Sequence, residues 1–212
     1  MTTTQIIAKQ GWVGALVLLV AFVLTLWLDW NVCAFVLCVM LVLWLAMFRN
    51  PERIPNASES NVFVSPVDGI VRDIDANEER ISILIETRFI DVGVIRSPCD
   101  VVEGKMSEKK GLNLTWCSKE KRNTLNATMR FESLQERTFS IDFYPIFFSS
   151  QELFASSNLD VGERMGFMKA GMTRIIIPQK RQKGVDSDIE LKVSIGDRVK
   201  ALQSVIGYFY EV

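Results

Sequence analysis

The chain has 212 residues, 24 Lys and Arg against 25 Asp and Glu, a net charge of −1, and no histidine. That length holds one domain plus an appendage, the charge balance offers no electrostatic footprint for nucleic acid, and the missing imidazole removes the commonest metal ligand and acid–base group. Cys33, Cys38, Cys99 and Cys117 form no Cys-x-x-Cys pair and two lie in an apolar run, so neither a disulfide framework nor a zinc site is expected.

Apolar residues are concentrated at the front. Trp12 to Leu28 is apolar except for Gly14 and Thr25; Asp29-Trp30-Asn31 follows, then a second apolar run from Val32 to Phe48. Each run is 17 residues, the lower end of what spans a bilayer core. Asp29 at the centre of one continuous helix would cost about 2.5–3.5 kcal/mol, so the pattern predicts a transmembrane hairpin with helices over 12–28 and 32–48. A secretory signal fits poorly, because no small-residue cleavage site follows and a second apolar run comes directly after. A hairpin lying partly within one leaflet is the alternative. Two buried helices of a soluble protein would show a polar face, and these show none.

Lys9 precedes the first run, and Arg49 and Arg53 follow the second. The positive-inside bias then puts both ends in the cytoplasm, as a multi-pass protein of the cell (inner) membrane. Trp12, Trp27, Trp30 and Trp44 suit interfacial or near-interfacial positions, and Ala15, Ala21, Ala34 and Cys38 offer small faces for helix packing. Arg49 and Arg53 are candidates for lipid headgroup phosphates, each worth about 1 kcal/mol at an anionic surface; the plain alternative is a stop-transfer flank. The expected division is a membrane hairpin at 1–50 and a cytoplasmic β domain at 51–212.

From Asn61 the chain reads as short strands separated by Gly, Asn, Asp and Pro. Strands are predicted at 61–64, 70–74, 80–86, 89–95, 101–106, 112–116, 124–131, 138–143, 164–169, 173–178, 190–194 and 205–210, which argues for a β-sandwich or partly closed barrel. Gln151 to Ser157 reads as a helical turn or two, and the charged Gln179 to Asp188 as a loop. Two weak repeats occur: Ser65-Pro66-Val67-Asp68 against Ser97-Pro98-Cys99-Asp100, and Gly162-Glu163-Arg164-Met165 against Gly196-Asp197-Arg198-Val199. Common turn chemistry arising twice explains such pairs; two similar halves facing each other explain them equally.

Three blocks carry a resemblance: Val64-Ser65-Pro66-Val67-Asp68-Gly69-Ile70-Val71, Asp91-Val92-Gly93-Val94-Ile95-Arg96-Ser97-Pro98, and the stretch from Gly162-Glu163-Arg164-Met165-Gly166 through Lys169-Ala170-Gly171-Met172 to Pro178. In order and spacing they resemble phosphatidylserine decarboxylases of the short, membrane-anchored type, and Phe48-Arg49-Asn50-Pro51-Glu52-Arg53 resembles the stretch after that family's hairpin. The resemblance implies a mainly β, lipoyl-like barrel-sandwich domain behind a two-helix transmembrane hairpin. It also implies self-cleavage between a Gly and a Ser, the Ser becoming a pyruvoyl group that acts as electron sink for decarboxylation.

The family pattern around the cut reads roughly Gly-Glu-Arg-Val-Gly-Met-Ile-Arg-Phe-Gly-Ser. Here Gly171 is followed by Met172, whose thioether cannot make the ester that self-cleavage requires. Gly93 stands where the family has a His used in processing and decarboxylation. Asp68 matches the family Asp that assists processing, with turn capping as its plainer role. Arg96 matches a family Arg but stays protonated and cannot be a general base. The family's polar segment with paired arginines corresponds to the aromatic 143–150. Thr173 carries a hydroxyl one residue late.

The resulting expectation is a decarboxylase-like pseudoenzyme of phospholipid metabolism. It has no pyruvoyl cofactor and no metal, and it binds lipid or a membrane protein, with Tyr144, Phe147, Phe148 and Phe154 as a candidate apolar surface. The alternatives are an active decarboxylase using Thr173 or another route, making phosphatidylethanolamine, and a structural subunit of a membrane-protein complex.

Overall fold

The computed structural model describes residues 6–55, 61–77, 79–109, 111, 127–133, 138–146, 151–153, 157–178 and 189–209. The chain divides into two compact units, Met1–Glu52 and Arg53–Val212.

The first unit is a helical hairpin, α1 at Lys9–Trp27 and α2 at Asn31–Met47. Leu, Val, Ala and Phe runs without proline propagate both helices. Asp29 closes α1 by taking φ 59°, a left-handed conformation that Asp tolerates better than most residues. Trp30 N–H then donates back to the Thr25 carbonyl at 2.9 Å. Below the helices, Ala8 N–H donates to Phe48 O at 2.9 Å and Asn50 N–H to Ile6 O at 2.8 Å, a short antiparallel clasp.

Small residues set the helix contact. A side chain at Gly14 would run into the Trp44 ring, and one at Gly11 would meet Phe48. The Trp44 indole N–H donates to the Gly11 carbonyl at 2.9 Å, and its ring stacks on Phe48 with centroids 4.8 Å apart. Trp44 thus packs within the hairpin, while Trp12, Trp27 and Trp30 are exposed. Ala15 and Ala34 are buried as the small-face reading expects; Ala21 is half-buried and Cys38 exposed. The remaining surface of both helices is apolar and uncovered, Val13, Val32 and Phe35 each being more than two-thirds exposed. α1, at 19 residues, is long and apolar enough to cross a membrane; α2 has 17.

The second unit is mainly β. Its strands are β1 (Val62–Val64), β2 (Gly69–Asn77), β3 (Arg80–Thr87), β4 (Val94–Arg96), β5 (Gly104–Lys109), β6 (Thr128–Ser133), β7 (Phe139–Pro145), β8 (Gln151–Leu153), β9 (Arg164–Met168), β10 (Gly171–Pro178), β11 (Ile189–Leu191), β12 (Arg198–Val199) and β13 (Val205–Phe209). One antiparallel sheet has the order β12-β2-β3-β10-β7-β6-β5. It does not close into a barrel among the described residues. Its strands alternate, as a half-buried sheet requires. Ile81, Ile83 and Ile85 of β3, Ile141 and Phe143 of β7, and Ile175 and Ile177 of β10 face the core, while Met172, Arg174 and Tyr144 face outward.

The other two sheets have the orders β1-β13-β11 and β4-β9-β8, and they are built alike. Val62–Val64 pairs with Tyr208, Gly207 and Val205; Val94–Arg96 pairs with Phe167, Gly166 and Arg164; both ladders shift register before the last pair. Gly207 and Gly166 each lie where a Cβ would meet a neighbouring carbonyl at 2.6 Å, that of Glu190 or Glu152. The Ser-Pro turns cross-bond in the same manner. Val64 N–H donates to Pro98 O at 3.1 Å and Arg96 N–H to Pro66 O at 2.9 Å. Ser65 and Ser97 each donate a hydroxyl hydrogen bond to the carbonyl two residues on, both at 2.7 Å. Asp68 accepts from Ala201 N–H at 2.8 Å and Asp100 from Val161 N–H at 2.7 Å. The first sequence repeat is thus a local twofold. The second is turn chemistry: Glu163 and Asp197 each accept from the N–H three residues back, but their flanking strands sit in unlike sheets.

Several predicted elements move. Residues 151–153 are an edge strand on β9, not a helical turn, because backbone pairing to Gly166–Met168 outweighs a weak local helix preference. The strand expected from Phe89 is delayed to Val94, since Asp91 folds 88–91 into a turn by accepting from Arg88 N–H at 3.0 Å. Val101 makes only a bridge to Leu159, and β5 begins at Gly104. The strand expected at 112–116 and the loop at 179–188 lie outside the described residues.

Candidate functional site

β10 lies fourth of seven strands, paired along its length with β3 and over its first six residues with β7. Gly171 sits opposite Thr87 on one side and Pro145 on the other; Met172 sits between Glu86 and Tyr144. The glycine is required by close approach and not by a positive φ: a Cβ there would stand 2.5 Å from the Tyr144 carbonyl oxygen. Ile70 and Arg198 extend the same row, so Arg198, Ile70, Glu86, Met172 and Tyr144 cross the outer face of the sheet in line. Arg72 bridges Glu86 beside that row.

Three family-matched positions converge at the start of β10. Thr87, opposite Gly171, donates its hydroxyl to the Asp68 carbonyl at 2.7 Å. Gly93 accepts from Met168 N–H at 2.8 Å, which holds it against the connection leading to Gly171. A Cβ on Gly93 would stand 3.0 Å from Met168 O and 3.1 Å from Lys169 Cα, so even the first atom of a side chain there presses on that connection.

Asp68 is buried and fully engaged. Arg53 reaches both of its carboxylate oxygens, one Nη–O distance being 2.7 Å, and also donates to the Ala201 carbonyl at 3.1 Å. Each side chain of the pair is 10% exposed. Arg53 is therefore bound to Asp68 and not presented outward as a headgroup ligand. Arg49, in the hairpin unit, is exposed and donates to the Ala46 carbonyl at 2.9 Å. Arg96 reaches the Gly162 carbonyl at 3.1 Å, tying β4 to the turn before β9.

Thr173 points the other way from Met172. It is fully buried on the core side, opposite Ile85 and Phe143, and among the described residues its hydroxyl oxygen has no hydrogen-bond partner. Of the proposed aromatic surface, Tyr144 is half-buried on the outer face; Phe147, Phe148 and Phe154 lie outside the described residues. Among the described residues no group of His, Cys, Asp or Glu could hold a metal ion.

Sequence reasoning passed over Lys169. It is 2% exposed, and its ammonium donates to the Asp91 carbonyl at 2.8 Å; the Asp91 carboxylate in turn takes Arg198 at 3.2 Å. A single lysine within the apolar run Phe167-Met168-Lys169-Ala170 was the available signal.

No protein-family model matches the chain, and no solved structure matches it. Among curated proteins, it is similar to one called phosphatidylserine decarboxylase proenzyme, from Symbiobacterium thermophilum, at 29% identity covering 95% of each chain.

Two substitutions separate structural from chemical roles. Asp68→Ala strands a buried guanidinium, so unfolding followed by circular dichroism should show a loss of about 3–5 kcal/mol; Glu190→Gln, at the exposed pair with Lys192, should cost less than about 1 kcal/mol. Thr173→Val replaces an unpartnered buried hydroxyl by a methyl group and should be neutral or stabilising, up to about 1–3 kcal/mol. A large loss for Thr173→Val would mean that the hydroxyl does something the core does not explain.

Proposed function

Starting from a chain related to the phosphatidylserine decarboxylases, we infer a membrane-anchored protein of phospholipid metabolism that neither cuts itself nor decarboxylates, and that acts by binding lipid or a membrane protein. The observation that carries this reading is Met172, in register between Glu86 and Tyr144 at the family's cleavage position. Self-cleavage of the family type needs a hydroxyl there to attack the preceding carbonyl. A thioether has no proton to lose and forms no ester.

The surroundings support the same reading. Gly93 offers no imidazole, and the Asp68 carboxylate is already bound by Arg53 and the Ala201 amide. Cleavage before Thr173 would need a hydroxyl that turns into the core instead. The residues present therefore do not fit a pyruvoyl group. Enzymes lower barriers by about 8–23 kcal/mol, and no group in this row replaces an electron sink of that power.

The anchor is the helical hairpin. Its uncovered apolar surface supports two spans, and Lys9, Arg49 and Arg53 support cytoplasmic ends, with the β unit on that side. The twofold pair of three-stranded sheets supports a lipoyl-like barrel-sandwich arrangement.

Repair tests the reading. Met172→Ser alone should release no measurable carbon dioxide from phosphatidylserine vesicles, and Met172→Ser with Gly93→His should give at most slow chain cleavage. Rapid decarboxylation by the single variant would show that a lost hydroxyl was the whole defect.

A further inference from the structure

Between β3 and β4 the chain makes a tight turn, Arg88-Phe89-Ile90-Asp91. Asp91 closes it twice: its N–H donates to the Arg88 carbonyl at 3.0 Å, and its carboxylate accepts from Arg88 N–H at 3.0 Å. Thr87 and Val92, on either side, are buried, whereas the two central residues are not: Phe89 is 43% and Ile90 59% exposed. Gly, Pro, Asn, Asp and Ser ordinarily dominate such turns. A phenylalanine beside an isoleucine instead holds an apolar pair out in water.

Positive charge rims the pair. Two guanidinium groups share the Asp91 carboxylate, Arg88 at 3.5 Å and Arg198 at 3.2 Å, and the Arg198 side chain is 60% exposed. One carboxylate answers the charge of only one of them. Behind the turn, Lys169 places a buried ammonium on the Asp91 carbonyl. Arg72 and Arg53 are matched by Glu86 and Asp68, so the excess of cations stays with the turn. The chain also enters the β unit at this end. Arg53, the unit's first residue, is bound to Asp68, and Thr87, the residue before the turn, donates its hydroxyl to the Asp68 carbonyl at 2.7 Å.

We propose that this turn docks on an anionic lipid surface, Phe89 and Ile90 entering the interface and Arg88 and Arg198 meeting headgroup phosphates. The inference rests on the hairpin being a membrane anchor, which keeps this end of the β unit within a short tether of lipid. An aromatic and an aliphatic side chain gain by leaving water at the boundary between headgroups and acyl chains. Guanidinium groups beside them match phosphate oxygens and are drawn to a negative surface. Arg198 also belongs to the row through Met172, so docking of the turn brings headgroups to that row.

The test is spin-label accessibility in the full chain, reconstituted into vesicles of equal parts phosphatidylcholine and phosphatidylglycerol. Cys33→Ala, Cys38→Ala and Cys117→Ala remove competing thiols, Cys99 being buried, and Ile90→Cys carries the nitroxide. The label at 90 should collide more with oxygen than with a water-soluble nickel chelate. Met106→Cys, on β5 and four strands from β3, should show the reverse. In vesicles of phosphatidylcholine alone the oxygen preference at 90 should shrink. Phe35→Cys, on the hairpin, reports the anchor separately. A label at 90 that favours the nickel chelate overturns the proposal, and the label at 35 then tells whether the anchor falls with it. An oxygen preference at 90 that is equal in both vesicles overturns the assignment to an anionic surface. Phe89→Cys serves as a second site, and unchanged circular dichroism certifies each fold.

Discussion

The register of β10 is the constraint on which the rest of the β unit depends. A central antiparallel strand has its N–H and C=O groups taken on both sides, and its side chains are sorted strictly by the pleat. Ile175 and Ile177 must go inward with Ile83, Ile85 and Ile141, because these are the apolar residues of three adjacent strands. Met172 must then go outward and Thr173 inward. A one-residue slip would bury Arg174 and expose Ile175 and Ile177. The Thr173 hydroxyl is thereby held on the core face by the same packing that stabilises the sheet.

That constraint links the two parts of the outer face. Tyr144 pairs with Met172 on one side and hydrogen-bonds Asp142 on the other. The row through Met172 carries Glu86 and Arg198, and the neighbouring region carries Arg130 and Asp142. One sheet surface thus presents two polar neighbourhoods, one around Met172 and one built from strands nearer the edge. Asp68 stands behind the first as a structural residue, fixing the turn into β2 through Arg53, Ala201 and the hydroxyl of Thr87.

Sequence reading reached the hairpin and most strands, because each has a local signal: an unbroken apolar run or β-branched alternation; it singled out Asp68, Gly93 and Gly171 as motif positions but not their proximity. The Ser-Pro repeat was equally visible, but only cross-bonding between residues 64–66 and 96–98 shows it to be a twofold. Arg53 was misplaced because an arginine just past a helix end looks like a headgroup ligand by position, whereas the partner that claims it, Asp68, lies 15 residues away.

The central claim is that the peptide joining Gly171 to Met172 stays intact. Intact-mass spectrometry of the purified chain, followed by hydrazine or borohydride treatment, tests it most directly. The account predicts one species at the 24.1 kDa of the full sequence, with no reactive carbonyl. Two fragments meeting at Gly171 or Met172, the C-terminal one opening with a ketoacyl group, would contradict it.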